Sequence, residues 1–201
     1  MSVGKNNKLI FGVGENDLDS PVHVDTEQGK VICRIYETWY SMIRRCYSPV
    51  YHAKKPTYID CEVVDSWKKL SNFKDWMVTQ DYHGKQLDKD LLVKGNRLYS
   101  PENCIFIEKR LNGFLMDGSK GRTSKLPGVS LKTRPNGKQL YVAQAQNPFT
   151  GKNAHLGYYE KETEAHRAWL DYKHELACRY AEEQTDTIVA QALMRYFKES
   201  D

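Results

Sequence analysis

The chain has 201 residues, a mass of 23.3 kDa and a formal net charge of +4. This length suits one ordinary domain or two small ones. Hydrophobic residues make up 40% of it and aromatic residues 11%, so most of the chain is expected to fold. No apolar run approaches the roughly 18 to 20 residues that a membrane-spanning helix needs, and the first residues lack the apolar core of a signal peptide. We therefore predict a cytoplasmic protein with no membrane partner.

The cysteines indicate a reducing compartment. There are five, none in a Cys-x-x-Cys pair, and an odd number cannot form a complete disulfide framework. A zinc site built from Cys46, His52, Cys61 and Cys104 is an alternative, but their spacings match no standard ligand pattern. We expect these thiols to be buried as small apolar side chains, and we expect no structural zinc ion.

Positive charge is concentrated in the middle of the sequence. Residues 109–138 hold eight basic side chains against one acid, Asp117, whereas acids outnumber bases from Glu160 onward. This distribution predicts local contact with a polyanion, for which nucleic acid is the leading candidate. A merely solvated run of charge is the alternative. The basic residues are Lys109, Arg110, Lys120, Arg122, Lys125, Lys132, Arg134 and Lys138.

The first third of the chain predicts an arm followed by short elements. Residues 1–30 are rich in Gly, Asn and Asp with little periodicity, which predicts a loose arm. Apolar residues recur at helical spacing over 36–47 and stop before Ser48-Pro49, which predicts a helix. A strand is predicted over 58–64, and Ser66 can cap a second helix. The apolar stripe of that helix is Trp67, Leu70, Phe73 and Met77, and we expect it to lie in the core.

Residues 86–115 have a strand-turn-strand-helix pattern that carries the main functional signal. Strands are predicted over 86–92 and 104–107, with a turn at Lys94-Gly95-Asn96 and a helix from about Glu108. Asp88 lies on the first strand and Asn112 on the helix, and Asn103 starts the second strand.

These residue types suit phosphodiester hydrolysis, which needs a polarising metal, an activated water and neutralisation of the departing oxygen. An Asp and an Asn amide that converge on one point are reasonable ligands for a hard ion such as Mg²⁺ or Mn²⁺. Here Asp88 and Asn112 would be that pair. Asn103 is placed to hydrogen-bond across the loop and hold the end of the first strand.

The segment resembles the HNH nuclease motif in its Asn-Asn form, as found in phage homing endonucleases. That motif has an Asp-His pair on the first strand, an Asn after a loop and a helix Asn nine residues later, and Asn103 and Asn112 match this spacing. The upstream sequences RCYS (45–48), PTYIDCEVVDSW (56–67) and NFKDW (72–76) are also similar to the lead-in of phage HNH-type proteins. The resemblance covers about residues 36–116. It implies a ββα-metal nuclease in which Asp88 and Asn112 hold one Mg²⁺ or Mn²⁺ and Asn103 orients the base.

Lys89 departs from the motif because it stands where such a nuclease has its general-base histidine. An ordinary lysine is protonated near neutrality and is a poor base. Lys89 could be a base if burial or nearby cations favour its neutral form, or it could stay charged and stabilise the transition state. A third hypothesis is that the domain no longer cleaves. Strand alternation puts Asp90 on the same face as Asp88, as a second ligand or base, and His83 beside Asp81 is an alternative base or a simple exposed loop histidine.

The last third of the chain predicts a sheet and helices. Glycine and serine residues over 113–124 mark a flexible basic linker, and three strands follow, GVSLKTR, QLYVAQAQ and NAHLGYYE. Asn136-Gly137 predicts a hairpin between the first two strands. A long helix is predicted from Thr163, with small residues that let it approach the sheet closely, and a further amphipathic helix lies over 185–201.

This segment resembles the Apetala-two type DNA-binding domain. The matching features are the Gly-Val opening, an aromatic-Val-Ala second strand, Leu-Gly with an aromatic on the third strand, and a helix of the Thr-x-x-x-Ala-x-x-Ala-Trp type. The resemblance covers about 50 residues. It implies a three-stranded sheet whose outer face lies in the DNA major groove while the helix packs behind it, a module that phage homing nucleases often append.

Alternation predicts which side chains of this sheet face outward. If Val129, Tyr141 and their alternate neighbours are buried, the exposed face carries groups suited to phosphates, guanine and adenine. The family's base-contacting arginines are partly absent, since Ser130, Gln144 and Gln146 stand at such positions, so its base preference does not transfer. The predicted DNA-binding residues are Arg122, Lys125, Ser130, Lys132, Arg134, Gln144, Gln146, Asn153 and His155. A solvated sheet face is the alternative.

Together these features predict an α+β protein with a ββα-metal (HNH-like) nuclease module and a three-stranded antiparallel sheet packed on one helix. The predicted divisions are an arm (1–30), a nuclease domain (31–117), a basic linker (118–125), a DNA-binding domain (126–184) and a C-terminal helix (185–201). The predicted function is metal-dependent cleavage of double-stranded DNA by a phage-encoded, homing-like endonuclease. One alternative is a non-catalytic, sequence-specific DNA-binding or regulatory protein on an HNH scaffold. Another is a phage protein that inhibits a host defence protein through its basic surface.

Overall fold

A computed structural model of the chain describes residues 9–19, 21–27, 29–116 and 123–198. The fold mixes helices and strands, which confirms the predicted α+β class. The chain divides into two units, Met1–Ile107 and Glu108–Asp201. The division precedes the predicted linker at 118–125, so the helix predicted for the nuclease motif belongs to the second unit. Within the described ranges, no helix is both long and apolar enough to cross a membrane.

The helices of the first unit are built around aromatic residues. They are α1 (Arg34–Tyr47), α2 (Pro49–Lys54) and α3 (Leu70–Met77), with short 3-10 helices at Pro56–Tyr58 and Asp65–Lys68. Trp39, Met42, Phe73 and Met77 are fully buried, as the helical spacing predicts. The Trp39 indole N–H donates to the carbonyl of Trp67 at 2.8 Å, so this buried donor has a hydrogen-bond partner.

The segment predicted to be an arm is partly structured. Strands β1 (His23–Thr26) and β2 (Gly29–Ile32) pair as an antiparallel hairpin whose eight residues are all exposed. Residues 9–19 pack on the unit through Phe11, whose ring centre lies 5.5 Å from that of Tyr40, and through Asp17, which accepts hydrogen bonds from the backbone and hydroxyl of Ser71. Residues 1–8 of the predicted arm lie outside the described residues.

The remaining strands of the first unit are short. They are β3 (Glu62–Val63), β4 (Lys85–Asp88), β5 (Leu98–Tyr99) and β6 (Ile105–Glu108). β3 pairs in parallel with β5, and β4 pairs with β6. The strand predicted over 58–64 is confined to two residues because the 3-10 helix at Pro56–Tyr58 occupies its start. The strand predicted over 86–92 ends at Asp88, where a side-chain turn begins.

The second unit contains the predicted antiparallel sheet. Helix α4 (Lys109–Leu115) precedes β7 (Val129–Thr133), β8 (Gln139–Gln146) and β9 (Asn153–Tyr159), which pair in the order β7-β8-β9. Helix α5 (Glu162–Glu182) packs on the sheet, and α6 (Thr187–Tyr196) packs on α5. The core between sheet and helix contains Val129, Ala143 and Ala165. This confirms the prediction of three antiparallel strands packed on one helix.

Close packing at the start of the sheet explains the Gly-Val sequence there. Gly128 has a φ of +73°, and a Cβ atom added to it would lie 1.9 Å from Cδ1 of Trp169. Only glycine combines this left-handed conformation with so close an approach of the α5 tryptophan. Helix α4 packs in the same unit, because Phe114 lies 5.1 Å from Tyr180 and 5.5 Å from Phe197 between ring centres, and the buried Lys173 ammonium donates to the Phe114 carbonyl.

Candidate functional site

The end of β4 forms a side-chain turn around Asp88. Oδ1 of Asp88 accepts hydrogen bonds from the backbone N–H groups of Asp90 at 3.0 Å and Leu91 at 2.7 Å. Burial raises the pKa of the Asp88 carboxyl, and the neighbouring Asp90 carboxylate raises it further, while the N–H donors oppose the rise. The turn fixes the carboxylate in one orientation, so a cation at Asp88 would be held by Oδ2.

Lys89 points inward from the same turn. The residue is only 8% exposed, and its side-chain nitrogen donates to Oδ1 of Asp90 at 2.8 Å and to the carbonyl oxygen of Asn96. Leu87 and Lys89 are buried, and Asp88 and Asp90 are partly exposed, although β4 ends at Asp88 and the residues after it form a turn. The side-chain nitrogen of Lys89 is therefore engaged as a donor to two acceptors in this arrangement.

Asn96 connects the two ends of the loop that follows β4. Its amide donates to the carbonyls of Lys89 at 2.9 Å and Leu98 at 2.7 Å, and its Oδ1 accepts from the Leu98 N–H at 3.1 Å. Asn103 donates to Oδ1 of Asn96 at 3.3 Å. Asn103 therefore bonds across the loop to the residue that holds the end of β4. The sequence pattern pointed to Asn103 but missed Asn96, whose position after Lys94-Gly95 marked it only as a turn residue.

A cleft gives solvent access to this loop. It has a volume of about 240 Å³ and is lined by Tyr58, Cys61, Lys89, Asp90, Asn96 and Arg97, among others. Arg97 is exposed and pairs with Asp60 at 3.2 Å. The cleft therefore combines cationic groups with the Asp90 carboxylate, and a phosphate group is small enough to enter it.

Two of the cysteines considered for a zinc site are protonated, and the histidine bonds to a carbonyl oxygen. Burial raises the pKa of the Cys46 and Cys104 thiols to about 12, so both are protonated at neutral pH. His52 bonds through Nε2 to the Arg45 carbonyl oxygen at 2.8 Å. In the part of the chain that the structure describes, no three His, Cys, Asp or Glu side chains are grouped to hold an ion. The Mg²⁺ or Mn²⁺ ion predicted at Asp88 stays a prediction, and its other ligands would be amide oxygens, water and a substrate phosphate, as is common for Mg²⁺.

Two other residues predicted for the nuclease motif lie away from this loop in the chain. Asn112 is on α4 in the second unit, where its carbonyl accepts the N–H of Met116. His83 is exposed, and its ring stacks on Tyr82 with the ring centres 4.3 Å apart. The roles predicted for Asn112 as a ligand and for His83 as an alternative base stay predictions.

The second candidate site is the outer face of the β7-β8-β9 sheet, opposite α5. Most of the side chains predicted to face outward on it are exposed: Lys132, Arg134, Gln144, Gln146, Asn153 and His155. Ser130 is partly exposed. Cross-strand pairing sets His155 opposite Gln144 and Asn153 opposite Gln146. The amides and the imidazole therefore form one patch at the β8-β9 end of the face.

A β-bulge adds an aromatic residue to this face that strict alternation missed. The register between β8 and β9 shifts at Ala143/Gln144, so Tyr158 pairs with Val142 and shares the face of His155. Tyr158 is 43% exposed, and its ring centre lies 4.8 Å from that of His155. Counting by twos from His155 would have placed Gly157 and Tyr159 outward, whereas Tyr159 packs in the core.

Arg134 is held by that aromatic ring. Its guanidinium carbon lies 4.0 Å from the ring centre of Tyr158, a cation–π contact that orients the side chain over the sheet. No ion pair joins Arg134 to another of the described residues. The neighbouring Lys138 pairs instead with Glu160 at 2.7 Å. Arg134, Tyr158 and His155 thus form a continuous exposed row, which we call the aromatic row.

The predicted basic linker is only partly described. Arg122 lies outside the described residues. Lys125 is exposed, and its backbone N–H bonds to the Glu162 carboxylate at 3.2 Å, while the Ser124 hydroxyl bonds to the same oxygen. Thr123 accepts the Leu131 N–H at 2.8 Å. These bonds fix residues 123–125 to the start of α5 and to β7 within the second unit.

Comparison with family models, with curated proteins and with solved structures finds no match to this chain. The resemblances to HNH nucleases and to Apetala-two type domains stay predictions drawn from the residues quoted above.

Proposed function

We propose that this protein binds double-stranded DNA through the outer face of its three-stranded sheet and hydrolyses phosphodiester bonds at Asp88 with a divalent cation. The observation that carries the proposal is the aromatic row. The row holds an arginine over a tyrosine ring, beside an imidazole and two exposed glutamines. These groups can form hydrogen bonds to base edges and to phosphates.

The composition of the face sets what it can recognise. A fixed guanidinium is suited to the O6 and N7 acceptors of guanine, and a glutamine amide to adenine. Arg134 loses little conformational freedom on binding, because Tyr158 already orients it. Lys132 is exposed nearby on β7 and supplies charge for phosphates, which adds affinity without sequence preference.

Cleavage is proposed at the turn that begins with Asp88. A bound Mg²⁺ or Mn²⁺ would polarise the phosphate and lower the pKa of a bound water. Asp88 would hold the ion through Oδ2, since Oδ1 is occupied by the turn. Lys89 is engaged as a donor to Asp90 and Asn96, so we assign it a positioning role and assign proton acceptance to Asp90.

A second candidate function is DNA binding without cleavage. The specific observation in its favour is the burial of Lys89, which joins Asp90 to the Asn96 carbonyl as a structural cross-link. A protein that had lost its base could keep such a link to stabilise the loop. The two candidates differ in one property, metal-dependent hydrolysis that requires Asp88.

The DNA-binding half is tested by fluorescence anisotropy with labelled duplexes of different sequence. Lys132→Gln with Arg134→Gln should weaken binding and reduce the slope of log affinity against log salt by about 2, because each phosphate contact releases counterions. Tyr158→Leu should weaken binding mainly on the preferred duplex, because it frees Arg134. Arg167→Gln with Arg195→Gln removes the same charge from exposed sites on α5 and α6 and serves as the control. Equal affinities for the control and the sheet variants would contradict the proposal.

A further inference from the structure

Helix α4 places basic side chains beside the sheet within the second unit. Lys109 and Arg110 are exposed in its first turn and line an open cleft of about 780 Å³ together with Gln144, Gln146 and Pro148. The two glutamines belong to the outer face of the sheet. The cleft therefore joins the proposed DNA-binding face to the basic start of α4.

Arg110 shares an aromatic ring with a second arginine. Its guanidinium carbon lies 5.1 Å from the ring centre of Phe149, in the turn between β8 and β9, and that of Arg179 lies 4.0 Å from the same centre. Arg110 also lies 5.3 Å from the ring centre of Tyr180. Both arginines are exposed, and the aromatic contacts orient their side chains at the surface.

These two charges have no acidic partner within ion-pair distance among residues 9–19, 21–27, 29–116 and 123–198. Burial raises the pKa of the neighbouring Tyr180, and Glu183 and Glu108 raise it further, but neither glutamate forms an ion pair with either arginine. Elsewhere in this unit exposed lysines do pair, as Lys138 with Glu160 and Lys161 with Glu164. Two guanidinium groups held on one ring concentrate positive charge there, which favours the binding of anions.

We propose that Arg110 and Arg179, with Lys109 beside them, form a phosphate-binding site for the backbone of the DNA that the sheet contacts. This inference rests on the proposed DNA binding by the sheet. Lys109 and Arg110 line the same cleft as Gln144 and Gln146, and Arg110 and Arg179 contact Phe149 in the turn between β8 and β9, so the site would contact backbone next to the base pairs that face the sheet. Guanidinium groups are the natural donors for such phosphates because their N–H groups form bidentate bonds.

The test compares four proteins in the anisotropy assay over a range of salt concentrations. Arg110→Gln with Arg179→Gln should bind every duplex about tenfold more weakly and lower the salt slope by about 2. Arg110→Lys with Arg179→Lys keeps both charges and should keep the slope. Arg167→Gln with Arg195→Gln controls for the loss of net charge, and the wild type sets the reference. Thermal melting of each variant verifies that it is folded.

Footprint length gives an independent measurement. The wild type should need a longer duplex for full affinity than the Arg110→Gln, Arg179→Gln variant, because the site contacts backbone beyond the sheet. Inorganic phosphate at millimolar concentration should compete no better than other salts of equal ionic strength if the ligand is the DNA backbone. Strong competition by free phosphate would overturn the assignment to DNA.

The outcomes separate the two proposals. If the sheet variants lose affinity but Arg110→Gln with Arg179→Gln behaves like the control, the phosphate site is refuted and DNA binding by the sheet stands. If the wild type binds no duplex, both are refuted.

Discussion

Replacing Gly128 by alanine should destabilise the second unit strongly. The residue has a φ of +73°, and the added Cβ would lie 1.9 Å from Cδ1 and 2.1 Å from Cγ of Trp169. The left-handed conformation costs a non-glycine residue about 1–2 kcal/mol. Displacing a core tryptophan adds about 1–3 kcal/mol. We therefore expect Gly128→Ala to lower the free energy of unfolding by about 3 kcal/mol.

Gly137→Ala is the matched control. Gly137 has a φ of +80° in the turn between β7 and β8, and no heavy atom lies within 4 Å of an added Cβ. The substitution carries the conformational cost alone, about 1 kcal/mol. For a domain of this size, that corresponds to a fall in Tm of about 5 °C, against about 15 °C for Gly128→Ala.

Thermal and urea unfolding followed by tryptophan fluorescence measure both variants, and DNA affinity at 25 °C shows whether the folded fraction still binds. If Gly128→Ala and Gly137→Ala lower the Tm by the same amount, the close packing of Trp169 on the start of the sheet is wrong. If Gly128→Ala leaves the Tm unchanged, the account of the Gly-Val opening fails altogether.

Three further substitutions test the loop that follows β4 and the cap of α6. Asp88→Asn should raise the free energy of unfolding at pH 7, because burial raises the pKa of the carboxyl and its ionised form therefore destabilises the folded state. This gain should shrink as the pH falls toward 3.8, because the folded carboxyl is then protonated. Urea titrations at pH 4 and pH 7 measure it, and an equal difference in unfolding free energy between variant and wild type at both pH values would contradict this reasoning. Asn96→Ala should cost the first unit about 2 kcal/mol, since it removes the bonds to Lys89 and Leu98, whereas the exposed Asn72→Ala should cost under about 0.5 kcal/mol. Asp186→Ala should cost the second unit about 1 kcal/mol, because Asp186 caps α6 by accepting the N–H groups of Ile188 and Val189, and an unchanged urea midpoint would refute that cap.

Local patterns predicted the elements whose periodicity is strong. The buried stripes of α1 and α3 follow from apolar residues at helical spacing, and Trp39 and Phe73 are completely buried. The hairpin between β7 and β8 follows from Asn136-Gly137, which leaves a left-handed glycine in the turn. In both cases neighbours in the chain determine the structure, so the sequence is sufficient.

The features that local sequence patterns did not predict depend on contacts between residues far apart in the chain. Residues 9–19 contain no strong periodicity, and their order depends on distant partners such as Ser71, which bonds to Asp17. Helix α4 has the apolar spacing of any short helix. Its place in the second unit depends on Phe114, which packs against Tyr180 and Phe197.

The sequence predicted more of the sheet face than of the surroundings of Lys89. Most of the sheet face followed from alternation, but Tyr158 did not, because a bulge in the register with β8 changes the face that it shares. Lys89 was recognised as the departure from the nuclease motif. Its burial and its bond to the Asn96 carbonyl could not be predicted, since they depend on the shape of the whole loop.

The claim that Asp88 supports hydrolysis is tested most directly by nicking of supercoiled plasmid with Mg²⁺ or Mn²⁺ and with chelator. The wild type should convert plasmid to open circles or linear DNA only when the metal is present. Asp88→Ala should abolish conversion, and Asp25→Ala, on the exposed hairpin, should not. Circular dichroism verifies that Asp88→Ala is folded, and Asp90→Ala and Asn112→Ala test the remaining predicted roles. Absence of metal-dependent conversion by the wild type, or its persistence in folded Asp88→Ala, would contradict the account.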